Sequence, residues 1–281
     1  MADFIIREMA RNELDIVLGW AEQESWRPGL ADADYFYPTD PHGFFIGLLG
    51  GEPIASISGI KYGDGYGFIG LYIVKPQWRG QGFGIQLWHT AMGYLQGRNI
   101  GLDGVIAQQG NYQKSGFQIA HRHVRYQGVS VHQPVPDQGI VPAGKIPFAD
   151  LLAYDNAFFP EPRPGFLHGW LRQQHGTALA ITRQSRVSGY GVIRACHTGF
   201  RIGPLFADSP SEAQVLFNAL QNTIPEHSPI FIDIPEPNAD AMALVTRYAM
   251  EPIFETARMY TRQAPDIDLT RSYGVTSLEL G

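Results

Sequence analysis

The clearest chemical signal in the chain is the run Arg79-Gly80-Gln81-Gly82-Phe83-Gly84, which lies between an apolar strand-like segment and a helical one. A pyrophosphate needs several donors converging on it. Backbone amides at a helix start supply them without desolvating a side-chain charge. Glycines let the main chain come close and take up positive φ, and Arg79 adds a cation. Two other phosphate-binding patterns fail here. A P-loop wants Lys followed by Ser or Thr after the second glycine, and this chain has Ile85-Gln86. A dinucleotide fingerprint spaces its glycines G-x-G-x-x-G after the first strand of the domain. Here Gly80, Gly82 and Gly84 give G-x-G-x-G after the fourth.

The longer run from Val74 through Lys75-Pro76-Gln77-Trp78 to Gly84 resembles the acetyl-CoA motif of the GNAT superfamily of N-acyltransferases, V-x-P-x-x-R-G-x-G-x-G/A. A second run, Tyr112-Gln113-Lys114-Ser115-Gly116-Phe117, resembles that family's later motif, Y-x-K-x-G-F. The two stand in the family's order with a helix and a strand between them, and the resemblance covers about residues 3–130.

The resemblance implies roles by matched position. The strand ending at Val74 should splay from its neighbour, residues 102–107. The backbone at Tyr72, Ile73 and Val74 should pair with the pantetheine arm, and the Val74 N–H should polarise the acetyl carbonyl. Arg79, Gly80, Gln81, Gly82, Phe83 and Gly84 should hold the pyrophosphate, with Asn111 and Lys114 of the second motif completing the cofactor set. Tyr112 holds the position of the general acid that protonates the departing thiolate, a job suited to a neutral phenol. In the family a helical turn usually separates an Asn from this Tyr, whereas Asn111 directly precedes Tyr112.

The implied reaction is direct attack of a primary amine, on a small molecule or a peptide, on the thioester of acetyl-CoA. An acyl group other than acetyl is not excluded, and a CoA-binding sensor without turnover is the alternative. The amine must lose a proton, and Glu22, Glu24, Asp64 and Tyr66 are candidates to take it. Trp26 with the aromatic cluster Tyr35, Phe36 and Tyr37 is expected to shape the acceptor pocket, with Asp233 and Glu236 as further lining. His121 and His123 share one strand face, but two ligands are too few for a metal, so none is expected.

The elements that position these residues follow from hydrophobic periodicity. Strands are expected at 4–9, 44–49, 53–61, 66–74, 102–107, 117–120 and 124–129, with helices at 12–22, capped by Asn12, and at 84–96. Residues 131–144 are rich in Pro and Gly and lack periodicity, which reads as a linker. Beyond it come helices at 146–156, 166–174, 211–221 and 239–248, and strands at 178–182, 188–194, 200–207, 230–234 and 255–261. Both halves have the same order of elements. The fold expected is α/β with a mixed sheet: two tandem GNAT-like domains, residues 1–131 with the cofactor site and 145–281 degenerate, joined by 132–144.

In the second half the turn Ser209-Pro210-Ser211-Glu212 lacks the Arg and the glycines, so no CoA is expected there. A trace of the later motif persists in Asn238, Ala241, Leu244 and Tyr248. The tail, with Arg258-Met259-Tyr260 and Leu278-Glu279-Leu280-Gly281, is similar to that of two-domain members of the family. The second half should then wall the substrate pocket as a built-in partner, giving a monomer or a weak homodimer.

Bulk composition agrees with this reading. The 281 residues are 44% hydrophobic and 17% charged, enough apolar mass for packed cores. A net charge of -6 argues against a nucleic-acid surface. The single cysteine, Cys196, reads as a small buried residue, since it cannot staple the fold. No stretch approaches the roughly 18 apolar residues of a membrane span, and the start lacks a signal-peptide pattern, so a cytoplasmic protein is expected.

Overall fold

The computed structural model describes residues 3–136 and 139–281. Met1, Ala2 and two residues of the expected linker, Asp137 and Gln138, lie outside them. The first half contains strands β1 (Phe4–Glu8), β2 (Phe44–Leu49), β3 (Glu52–Tyr62), β4 (Tyr66–Val74), β5 (Asn99–Val105) and β6 (Gln118–Val129). Its helices are α1 (Arg11–Gln23), α2 (Asp32–Phe36), α3 (Phe83–Tyr94) and α4 (Gln109–Lys114). The second half contains β7 (Ile140–Pro142), β8 (Gly176–Arg183), β9 (Arg186–Ala195), β10 (Phe200–Ala207), β11 (Pro229–Pro235), β12 (Glu251–Tyr260) and β13 (Ser272–Gly274). Its helices are α5 (Phe148–Asp155), α6 (Pro164–Trp170), α7 (Pro210–Gln221) and α8 (Ala239–Arg247).

All the strands join one mixed sheet in the order β1-β2-β3-β4-β5-β12-β6-β11-β10-β9-β8-β7, with β13 added to β10. Among the described strands only β4–β5 and β10–β11 are parallel. The centre of the sheet is an exchange between halves. Strand β12, near the C-terminus, lies between β5 and β6, and β6 pairs in turn with β11. Ala257 and Met259 of β12 therefore complete the apolar core under α3, with Ile69, Leu87, Trp88, Leu102 and Phe117. A second core packs α1, α2, α5 and α6 between the halves, and a third lies under α7 and α8.

Several expected boundaries move for identifiable reasons. Helix α1 begins at Arg11, and Asn12 lies inside it. The Ala10 N–H is instead satisfied by the carboxylate of Glu13 at 2.8 Å. The two strands expected at 117–120 and 124–129 are one, because the polar run between them finds partners across the sheet. Arg122 pairs with Glu255 at 3.1 Å and His123 with Asp103 at 2.9 Å. The Tyr35-Phe36-Tyr37 cluster forms α2 and the turn after it, and packs between the halves. Phe36 stacks on Trp170 with centroids 5.8 Å apart, Tyr37 stacks on Phe44, and the Tyr35 hydroxyl accepts from the Gln174 N–H. These rings are core, not acceptor pocket.

Candidate active site

Strand β4 is held by β3 along its whole length but by β5 only from Tyr66 to Ile69. Beyond Ile69 the parallel neighbours part. The register between β3 and β4 slips at the same place, where Leu71 takes φ +47°. This bulge adds one residue to β4 and turns the strand out of the sheet. It is held by the Ser56 hydroxyl, which donates to the Leu71 carbonyl at 2.8 Å.

The strand's end offers free main-chain groups to the gap. Lys75 N–H donates to the Ile54 carbonyl, making that pair the hydrogen-bonded one. In an antiparallel ladder bonded and non-bonded pairs alternate. Val74, opposite Ala55, therefore points its N–H and C=O away from β3, into the gap. Its carbonyl accepts from Arg79 Nε at 2.8 Å.

The following turn leads straight into α3. Gly80 and Gly82 have φ of +75° and +84°, a backbone that other residues adopt at a cost. Gly82 is the N-cap and offers no side chain, so the first-turn amides of α3 lack a side-chain cap and face outward. Gly84 serves close approach instead. A Cβ there would lie 2.7 Å from the Tyr72 hydroxyl and 3.2 Å from Val74.

The splay opens a cleft of about 640 Å³. Among its lining residues are Glu24, Trp26, Tyr72, Ile73, Val74, Arg79, Gly80, Gly82, Gly84 and Tyr112. Arg79 ion-pairs with Glu24 at its rim. Tyr112 lies on α4, its ring 5.3 Å from Trp88 and against Gly104. Burial pushes its phenol far above the ordinary tyrosine value, with Tyr72 adding to the effect. Burial likewise pushes Tyr72 up to about 12. Both stay neutral donors at physiological pH.

Other expected site residues lie elsewhere. Gln81 is exposed and donates to the Gln77 carbonyl, while Phe83 packs on Phe4 and Trp78. Asn111 donates to Gln108 on the exposed side of α4, and Lys114 is exposed. Tyr66 is buried in the core against Phe159, where desolvation raises its phenol well above the ordinary value, so it is no base for the cleft. Asp64 is exposed in the hairpin at the opposite end of β4. Glu22 faces Arg27, and Glu236 is exposed past β11.

Asp233 does not line the cleft, though it braces residues that do. It binds Arg125 at 2.7 and 3.0 Å and Arg201 at 2.7 and 3.0 Å. Arg125 lines the cleft, and Arg201 holds Glu279, which also lines it. Burial alone would raise the Asp233 carboxyl, but the two guanidiniums outweigh it and hold it well below the usual range. The histidines contact each other and the charged centre of the sheet. His121 and His123 ring nitrogens are 3.1 Å apart, and His123 binds Asp103, which also pairs with Arg258. Among the described residues there is no group of three or more metal-type ligands. Cys196 is buried, and desolvation pushes its thiol up to about 11, far from a reactive thiolate.

The second half supplies cleft residues that sequence reading missed: Phe254 and Thr256 from β12, and Leu278 and Glu279 from the tail. The Glu279 carbonyl lies so close to Gly70 that any Cβ there would collide with it. An acidic residue between Leu278 and Leu280 was the available signal, but nothing local says which cavity it meets. The equivalent gap in the second half is closed. β10 pairs with β11 only from Phe200 to Ile202, and β13 adds to β10 just beyond, at Leu205 and Phe206. Helix α7 is capped by its own Ser209 and closed by buried Glu212, which accepts from the Ser188 hydroxyl.

A parallel strand pair splayed at a bulge, followed by a glycine turn and an uncapped helix, defines an acyl-CoA-dependent acyltransferase of the GNAT type, and the chain belongs to the GNAT acetyltransferase family. Residues 11–117 match the family's model and residues 151–274 match a further acetyltransferase (GNAT) domain model, so the chain carries two such domains in tandem. A holothin acyltransferase from Pseudoalteromonas sp. (strain SANK 73390) is 30% identical over 269 residues, covering 96% of this chain and 92% of its own. A Pyrococcus horikoshii protein assigned as an acetyltransferase shares the fold with a TM-score of 0.83 at 22% identity, covering 99% of this chain and 96% of its own. A tandem GNAT protein from the clavulanic acid biosynthesis pathway does so with 0.65 at 12% identity, over 93% of this chain and 100% of that one. No helix among the described residues is long and apolar enough to cross a membrane.

Proposed function

We propose that the chain transfers the acetyl group of acetyl-CoA to a primary amine of a small molecule by direct attack. The observation that carries this reading is the cleft itself: the Val74 N–H turned away from β3 at one edge and the uncapped first turn of α3 next to it. The residues suit the cosubstrate. Tyr72 to Val74 present an unpaired strand edge to a pantetheine arm, and the Val74 N–H is placed to bind the acyl carbonyl oxygen. Gly80, Gly82 and the α3 amides would hold the pyrophosphate, and Arg79 would exchange Glu24 for it. Acetyl-CoA supplies an activated thioester; the chain binds it, orients it and donates the proton its sulfur needs. Tyr112, neutral and lining the cleft, is the donor.

The halves act together in this reading. The chain divides at 132–144, residues 1–131 carry the cofactor groups, and residues 145–281 wall the acceptor end. The closed β10–β11 gap supports a single working cofactor site per chain. The acyltransferase relative supports turnover over CoA sensing, and it makes holothin the first acceptor to try.

The test is calorimetry of CoA binding to the purified chain, followed by thiol release from acetyl-CoA with a panel of amines that includes holothin. Micromolar-range CoA binding and amine-dependent thiol release are expected. Absence of CoA binding would sink the reading, and binding without release for every amine would leave a sensor.

A further inference from the structure

Two buried polar atoms on residues of the cleft wall have no partner among the described residues. One is Oε2 of Glu279, a residue 3% exposed; the other is Oγ1 of Thr256, a residue 2% exposed. Both residues line the same cleft, and both come from the second half. Glu279 sits against Gly70, the first β4 residue past the last β4–β5 pair, and Thr256 sits opposite Val105 on β5. They therefore flank the opening of the splay. The other oxygen of the carboxylate, Oε1, accepts from Arg201 at 3.0 Å, which fixes the side chain.

An orphaned buried carboxylate oxygen is unfavourable unless a ligand supplies a donor. The other groups around it are already engaged. Arg201 of β10 and Arg125 of β6 are both tied to Asp233 of β11. Asp103 of β5 is tied to His123 and Arg258, and the Cys196 thiol donates to the Arg27 carbonyl at 3.4 Å. What the vacant oxygens want is a compact cation with several donors and no acceptor, which describes an ammonium group. The neighbouring walls are Trp26, Phe254, Leu278 and Ile69, apolar and partly aromatic.

We propose that Glu279 binds the acceptor's ammonium group and takes its proton, with the Thr256 hydroxyl as second partner, and that the acceptor is a primary amine on an apolar body. The proton step rests on the acyl-transfer reading above. One ammonium proton passes to Glu279 Oε2. The freed nitrogen lone pair forms the C–N bond to the acyl carbon, the C–S bond breaks with its electron pair left on sulfur, and the new amide nitrogen loses its second proton to solvent. The sulfur takes a proton from Tyr112, which regains one from solvent, and Glu279 releases its own to solvent. The sum is ammonium plus thioester giving amide, thiol and one proton.

The probe is benzylamine, titrated by calorimetry into the chain with and without CoA and then assayed with acetyl-CoA. Glu279→Gln keeps the shape and an acceptor for Arg201 but removes a buried charge, so urea denaturation first checks that the variant is folded, and a purely structural Glu279 then predicts little change in benzylammonium binding. Our expectation is benzylammonium binding weakened about tenfold or more, CoA affinity within about twofold, and kcat lowered about a hundredfold. Thr256→Val, which leaves the carboxylate intact, should weaken benzylammonium binding by a smaller factor. Equal binding by wild type and Glu279→Gln, or no binding by wild type, overturns the amine site. Weakened binding with unchanged kcat overturns the proton step alone. If wild type binds benzylammonium but not CoA, the acyl-transfer reading and the proton step fall, and the amine site stands.

Discussion

At the scale of single residues, the cleft separates groups that act through charge from groups that act through a proton. Arg79 is half exposed and shared between Val74 and Glu24. Exposed pairs of this kind contribute about 0–1 kcal/mol, so exchanging Glu24 for a pyrophosphate costs little. Arg79→Ala should weaken CoA binding about 10–100-fold, the loss of one charge-assisted contact. Glu24→Gln should tighten it by no more than about fivefold, because it only frees Arg79. Calorimetry on the two variants checks both signs. Tyr112→Phe removes one hydroxyl that makes no hydrogen bond among the described residues, leaving the ring on Trp88 and Phe117. Its kcat should fall about a hundredfold with CoA affinity nearly unchanged. Wild-type turnover in this variant would remove Tyr112 from the mechanism.

At the scale of elements, the argument turns on β6, β11 and β12, which carry buried charge through the centre of the sheet. Asp233 is the single carboxylate between Arg125 and Arg201 on neighbouring strands. Removing one partner from such a set leaves uncompensated charge, so Asp233→Asn should cost about 3–5 kcal/mol by urea denaturation. A second element-level prediction concerns pH. Burial, with His123 and Arg258 adding to it, lowers His121 to about 3 from its ordinary 6.5. Between those values the unfolded chain binds a proton that the folded chain refuses. Stability is therefore present above 6.5 and is lost as pH falls through that window. Urea midpoints at pH 7 and pH 4 should differ, and His121→Gln should reduce the difference. An unchanged difference would mean that other groups set the slope.

At the scale of the whole molecule, the exchange of β12 makes the halves interdependent. Without residues 145–281, β5 and β6 both lose β12, and Ala257 and Met259 leave the core under α3. A fragment of residues 1–131 should therefore be insoluble or molten by circular dichroism, and the intact chain should unfold in a single transition. A soluble, cooperatively folding fragment would show that the shared sheet is dispensable.

What the sequence determined by itself was local. Glycine positions, the Pro76 stop and helical periodicity placed the Arg79–Gly84 turn between β4 and α3, because these signals act within a few residues of one another. The absence of the same turn after β10 was equally legible, and so were six of the eight helices among the described residues and most strands; the short helices α2 and α4 were not. The sequence reading saw two similar halves but not the crossing of strands between them, since pairing partners such as Met259 and Leu102 lie far apart in the chain. Nor could it choose among acidic residues, because burial decides which carboxylate is a surface charge and which is a site. Glu22, Glu24 and Asp64 were the carboxylates singled out as bases, and Glu279 was not. Tertiary packing alone put Glu279 beside Gly70 on the cleft wall, fixed one oxygen on Arg201 and left the other buried without a partner among the described residues.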